Sequence, residues 1–245
     1  MNNPEPQTPG ADSRPWYAGI TRYEWLVLII ACAGWVFDQY ESQVFVLTQD
    51  RILHEISPAG SLPSNGASDP LYAIFLLGGT LGGLAAGSLA DRYGRRPLLI
   101  LTIVLYSLFS GLTYFVDSWW QLAALRFLVA IGVGGEWAVA ASLVAEVFPA
   151  RARAYASGIF HASSIIGIWM ATVAAIAVGE HWRYAFLVGI VPSLLVVWVR
   201  ARVREPDKWQ VMAADATHST SEQHRMGSFR DLLTTYPWNK RALLG

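Results

Sequence analysis

Two acidic residues stand in an otherwise apolar stretch near the start of this 245-residue chain. Asp38 and Glu41 lie within WLVLIIACAGWVFDQYESQVFVL, three residues apart, so in a helix they share one face. Carboxylates inside a membrane span are costly, rarely face lipid and often mark ion or proton pathways. Burial penalises their charged form, which makes the two acids candidate proton carriers. A competing reading ends the helix early and leaves both at the outer interface. A second stretch, WWQLAALRFLVAIGVGGEWAVAASLVAEVF, carries Arg126 and Glu136. At about 1.5 Å per residue, Arg126 sits roughly 10 Å from the outer end of its helix and Asp38 roughly 24 Å from the inner start of its own, a similar depth. A buried arginine needs a carboxylate, and Asp38 is the expected partner, with Glu41 one turn further out. Against this stands an Arg126 that snorkels to the interface. At about 100° per residue, Trp137 falls on the Arg126 face and Glu136 roughly 80° to one side. Arg126 and Trp137 are therefore expected to line one cavity, with Glu136 at its edge; plain helix packing is the alternative for Trp137. His161, with Ser157 and Ser164 on its face, is a candidate proton relay. A lone histidine in a span is more often a satisfied packing residue.

These groups need a scaffold in lipid. The chain is 53% hydrophobic and only 15% charged, against about 25% charged in a soluble domain, and its mean hydropathy is +0.34. Eleven Trp and ten Tyr favour membrane interfaces. A net charge of zero offers no basic patch for nucleic acid. Cys32 is the one cysteine, which excludes an internal disulfide framework and a cysteine-only metal site. No HExxH, nucleophile elbow or histidine cluster points to an enzyme, and no metal or cofactor is expected beyond a proton as coupling ion.

Six segments are long and apolar enough to span a bilayer as helices, near 23–49, 70–91, 97–116, 119–148, 152–178 and 183–203. The fold expected is an all-α integral membrane bundle of six helices over 22–204. A disordered tail, 1–21, precedes it. A polar linker, 205–240, follows, and 241–245 begins a possible seventh helix. With the N-terminus in the cytoplasm, the inner side holds Arg14, Arg22, Arg92, Arg95, Arg96, Arg151, Arg153 and the basic residues from Arg200 to Lys208. The outer side holds only Arg51 and Arg183, which is the positive-inside pattern. Arginine supplies all but two of the 18 basic residues, a bias suggestive of a GC-rich bacterial genome and an inner membrane.

Helix two repeats glycine every four residues, at Gly79, Gly83 and Gly87 and at Gly78 and Gly82, which lets helices approach closely in lipid. At its inner end GSLADRYGRRP leaves room for only a short basic turn before helix three.

That string resembles the signature loop between helices two and three of the major facilitator superfamily. Arg126 followed by Gly132, Gly134 and Gly135 is similar to the family's helix-four arginine and glycine motif. Glu146 and Arg153 resemble its Glu-x6-Arg pair, and Arg204-Glu205-Pro206 is a loose version of a sugar-porter motif. HWRYAFLVGIVPSLL and the DQYE of helix one look like proton-coupled porters for organic acids; GGEW looks more like sialate or lactate porters. The resemblance runs from about Asp38 to Trp209. It implies the N-terminal half of a twelve-helix transporter that rocks against a second six-helix half. It further implies a conformational gate of Gly87, Asp91, Arg92, Gly94, Arg95, Arg96, Glu146 and Arg153, with Asp91, Arg95, Glu146 and Arg153 meeting at the inner helix ends. The function expected is proton-coupled symport of a small organic anion, through Asp38, Glu41, Arg126, Glu136, Trp137 and His161. A sugar or polyol porter, and a truncated half that does not transport, are the alternatives.

Overall fold

The computed structural model describes residues 15–56 and 68–192, together with 194, 199 and 202–204. Most of the expected tail, the linker 205–240 and the possible seventh helix at 241–245 lie outside the described residues.

Every regular element among the described residues is helical. Helix α1 (Arg22–Ile56) opens on a reciprocal cap, in which the Glu24 amide donates to the Thr21 hydroxyl and the Thr21 amide to the Glu24 carboxylate. Helix α2 (Ser68–Tyr93) ends one residue before α3 (Arg95–Leu112). Gly94 makes that reversal with φ 102°, a conformation that side chains disfavour. A 3-10 turn, Thr113–Phe115, extends α3. Ser118 then caps α4 (Trp119–Val147) by accepting from the Gln121 amide. Pro149 starts α5 (Ala150–Ala162), and α6 (Ser164–Val178) continues it after one residue. Helix α7 covers Arg183–Val188.

Four stretches, Pro70–Tyr93, Arg95–Phe115, Trp119–Val147 and Ala150–Val178, are long and apolar enough to cross a membrane. Helix α1 is longer, at 35 residues, but polar in its middle. It passes the expected end at 49 by two turns, so Asp38 and Glu41 sit mid-helix. The expected fifth span is interrupted at Ser163. Of the sixth, Arg183–Val188 is described as an element and most residues beyond Pro192 lie outside the description.

Helices α2 and α4 approach until backbone meets backbone. A Cβ on Gly82 would lie 2.1 Å from the Ile131 carbonyl oxygen, and one on Gly134 would lie 2.1 Å from that of Gly79. The glycine stripe therefore does the packing its spacing predicts. On the other side, a Cβ on Gly167 of α6 would lie 2.1 Å from the Val36 carbonyl oxygen of α1. Two apolar cores result. One gathers Leu28, Leu99, Tyr106 and Leu143 near the end that carries Arg95 and Arg96, here the basic end. The other gathers Phe45, Ile52, Leu122 and Phe186 near the far end. Buried polar side chains of α1, α3 and α4 fall between them in the chain.

Candidate functional site

Helices α1 and α4 bring four acidic or basic side chains into the interior, and none is exposed beyond 1%. They are Asp38, Glu41, Arg126 and Glu136. Arg126 pairs with Glu41, its Nη1 lying 2.8 Å from Oε1. It does not pair with Asp38, which corrects the expectation. Two acids three residues apart share a face, so their spacing leaves open which one an arginine takes. Ser110 and Thr113 of the α3 segment select Glu41. The Ser110 hydroxyl donates to Glu41 Oε2 at 2.5 Å, and Arg126 Nη2 donates to the Thr113 hydroxyl at 2.8 Å. Phe45 and Phe186 cover the guanidinium, with ring centroids 5.1 and 5.0 Å from Cζ. Gly189 leaves the room required, since a Cβ there would lie 2.0 Å from the Ser110 hydroxyl oxygen.

Asp38 is left without a cation among the described residues. It is fully buried, and neither carboxylate oxygen has a hydrogen-bond partner. The Glu136 carboxylate packs against α1 one turn away: a Cβ on Gly34 would lie 1.8 Å from Glu136 Oε1. Glu136 Oε2 also lacks a partner. The Tyr106 hydroxyl faces Glu136 from α3 but forms no hydrogen bond of ordinary geometry.

Trp137 points the other way. It is 44% exposed, while Arg126 is fully buried and Glu136 is 1% exposed. Arg126 and Glu136 are thus enclosed, whereas Trp137 is open on one side. Trp137 instead meets His161 and Trp35, with ring centroids 6.3 and 6.4 Å away. The Trp35 indole N–H donates to the His161 backbone carbonyl at 3.4 Å, two residues before the Ser163 interruption. His161 is exposed and its ring packs on Trp35 and Phe160.

At the basic end, Arg95 joins Asp91 and Glu146, each at 2.7 Å. Arg153 forms no ion pair with them among the described residues, and its Nε is buried without a partner. The expected four-residue cluster is thus a triad. Arg92 lies over the Tyr93 ring at 5.3 Å. Arg96 has partners of its own. A Cβ on Gly87 would meet nothing within 4 Å.

A family model described as Sugar (and other) transporter matches residues 35–231. The chain belongs to this family. It is an integral membrane protein with the N-terminal part of the major facilitator fold. It is 34% identical over 187 residues to a probable 4-methylmuconolactone transporter of Cupriavidus pinatubonensis, covering 74% of this chain and 42% of that protein. It is 29% identical over 226 residues to a putative metabolite transport protein of Haemophilus influenzae, covering 91% and 54%. The sialic acid transporter NanX of Escherichia coli is 29% identical over 196 residues, covering 79% and 47%. The chain spans about half the length of these curated relatives. Its fold matches the major facilitator proton:xylose symporter XylE with a TM-score of 0.70 at 22% identity, over 78% of this chain and 46% of that one.

In this family member the buried charges stand out in the sequence, but the groups that hold them do not. Ser107, Ser110 and Thr113 recur every three residues in an apolar span, and that spacing was the readable signal for a polar stripe on α3. Gly34, Gly189 and Trp35 act through contacts between distant segments and gave no local sign. A far-end tie was missed too. There Arg183 binds Glu55, Asp117 and the Val116 carbonyl, and Arg51 donates to the Gly179 carbonyl at 2.7 Å.

Proposed function

We propose that this chain is the N-terminal half of a proton-coupled symporter for a small organic acid, with its N-terminus in the cytoplasm of a bacterial inner membrane. The observation that carries the proposal is the division of the buried charges. Arg126 pairs with Glu41, while Asp38 lies wholly buried on the same helix with no cation and no hydrogen bond among the described residues. Carboxylates placed inside a membrane span often mark proton pathways. Asp38 is then the group that exchanges a proton, and the Glu41–Arg126 pair is the fixed dipole beside it. Relatives whose names specify sialic acid, niacin and cis,cis-muconate support an organic-acid cargo. Alternating access would come from rocking against a second six-helix half, with the Asp91–Arg95–Glu146 triad holding one state. A sugar or polyol cargo is the second reading, favoured by the family description.

The test uses full-length protein in proteoliposomes, assayed with a panel of labelled small organic acids and sugars. Uptake of an acid driven by an inward proton gradient is expected. Asp38→Asn should keep exchange of that acid but lose uphill uptake. Gradient-driven accumulation undiminished in Asp38→Asn would remove Asp38 from coupling. Sugar uptake without acid uptake would establish the second reading.

A further inference from the structure

We propose that Asp38 and Glu136 form one proton-holding unit, sharing a single proton across the α1–α4 contact at Gly34. It rests on the proton-coupled reading for its role in transport, but not for its existence.

Gly34 and Asp38 are four residues apart and share one face of α1. The Glu136 carboxylate lies on that face, against Gly34, within a helical turn of Asp38. Both side chains are buried, at 0% and 1% exposure, and three of their four carboxylate oxygens lack any hydrogen bond among the described residues. Among the described residues no cation pairs with either carboxylate. Besides Asp38 and Glu136, the buried charged side chains of α1 and α4 are Glu41 and Arg126, which pair with each other, Arg126 also donating to Thr113. From α3, the buried Tyr106 hydroxyl is uncharged and Arg95 is held by Asp91 and Glu146 at the basic end. From α5, His161 is exposed and packs on Trp35. Helix α2 presents Ala86 and Gly82 near this level, at Gly135, and α6 presents Gly167 against α1, so neither brings a charge.

Two adjacent carboxylates in a dry site without a cation do not both stay ionised. With one proton between them the unit carries a single negative charge. A second proton, drawn from water, makes it neutral, and its release restores the charge. The two acids then titrate as a pair and not as separate residues. Glycine at position 34 is what allows the approach. A methyl there would meet only the Glu136 carboxyl group, the far end of a movable side chain. Gly34→Ala is therefore a displacement of Glu136 that leaves the helix contact intact.

The experiment is infrared spectroscopy of purified full-length protein across pH, following the carbonyl stretch of protonated carboxyl groups. Wild type is expected to show one such band that Asp38→Asn and Glu136→Gln each remove or displace. Whichever acid remains should move its titration midpoint by about one unit or more. Gly34→Ala should displace the same band while thermal unfolding stays close to wild type. A band removed by Asp38→Asn but untouched, in position and midpoint, by Glu136→Gln and Gly34→Ala would overturn the shared proton. Proton-driven uptake measured on the same samples separates the two ideas. Its absence in wild type defeats the symport reading, and its survival in Glu136→Gln with an unchanged band defeats the unit.

Discussion

Arg126 sits 2.8 Å from Glu41, and Asp38, one turn away on the same helix, has no cation among the described residues. That choice of partner is measurable. Removing one member of a buried pair leaves the other charge uncompensated, a loss of about 3–5 kcal/mol. A double-mutant cycle between Arg126→Ala and Glu41→Ala, read by thermal unfolding in detergent, should give a coupling of about 1–3 kcal/mol. The matching cycle with Asp38→Ala should give much less. A larger coupling to Asp38 than to Glu41 would refute the pairing.

The α2–α4 contact sets a contrast between glycines that look alike in the sequence. A Cβ on Gly82 runs into the Ile131 backbone, which cannot yield without separating the helices. A Cβ on Gly87 meets nothing. Gly82→Ala should lower the unfolding midpoint clearly, with a cost above about 2 kcal/mol typical of overpacking. In this half of the fold Gly87→Ala should be neutral. Equal effects at the two positions would mean that the helices do not meet at Gly82.

Much of the architecture was legible because the bilayer imposes it. Long apolar runs, the glycine repeat and the short GSLADRYGRRP turn each correspond to an element or contact. The interruption of the fifth span was not, since SSIIGIW contains no proline and Ser163 keeps helical backbone angles. The charged residues of the site were also legible one by one, because an acid or arginine in a span stands out. Their pairing was not. Whether Glu41 or Asp38 takes Arg126 depends on Ser110, Thr113 and Gly189, which come from two other segments. The same limit applies to Arg153, which resembles the family's Glu-x6-Arg partner of Glu146, whereas the structure pairs Glu146 with Arg95.

That exchange of partners leads to a prediction at the basic end. Arg95 holds both Asp91 and Glu146, so Arg95→Gln should free α3 from α2 and α4 there. Cysteines placed across this end of the full-length protein should become more reactive in Arg95→Gln than in wild type. Arg153→Gln should leave that reactivity close to wild type, because Arg153 makes no ion pair with the triad. A stronger effect from Arg153→Gln than from Arg95→Gln would restore the four-membered cluster.

Adjacent residues on α4 should respond oppositely to a water-borne reagent. Trp137 is 44% exposed and meets Trp35 and His161, whereas Glu136 is buried against Gly34. Trp137 lies well inside α4, about 15 Å from its basic end at 1.5 Å per residue. A membrane-impermeant thiol reagent can reach that depth only through an aqueous path. In a cysteine-free version of the full-length protein, with Cys32→Ser among the changes, Trp137→Cys should be labelled and Glu136→Cys should not. A transported acid added beforehand should slow labelling at position 137 if the path is the one it travels. Resistance of Trp137→Cys under all conditions would show that lipid or the other half of the protein covers this face. Labelling at 136 with none at 137 would reverse the orientation of α4 and remove the basis for the Asp38–Glu136 contact.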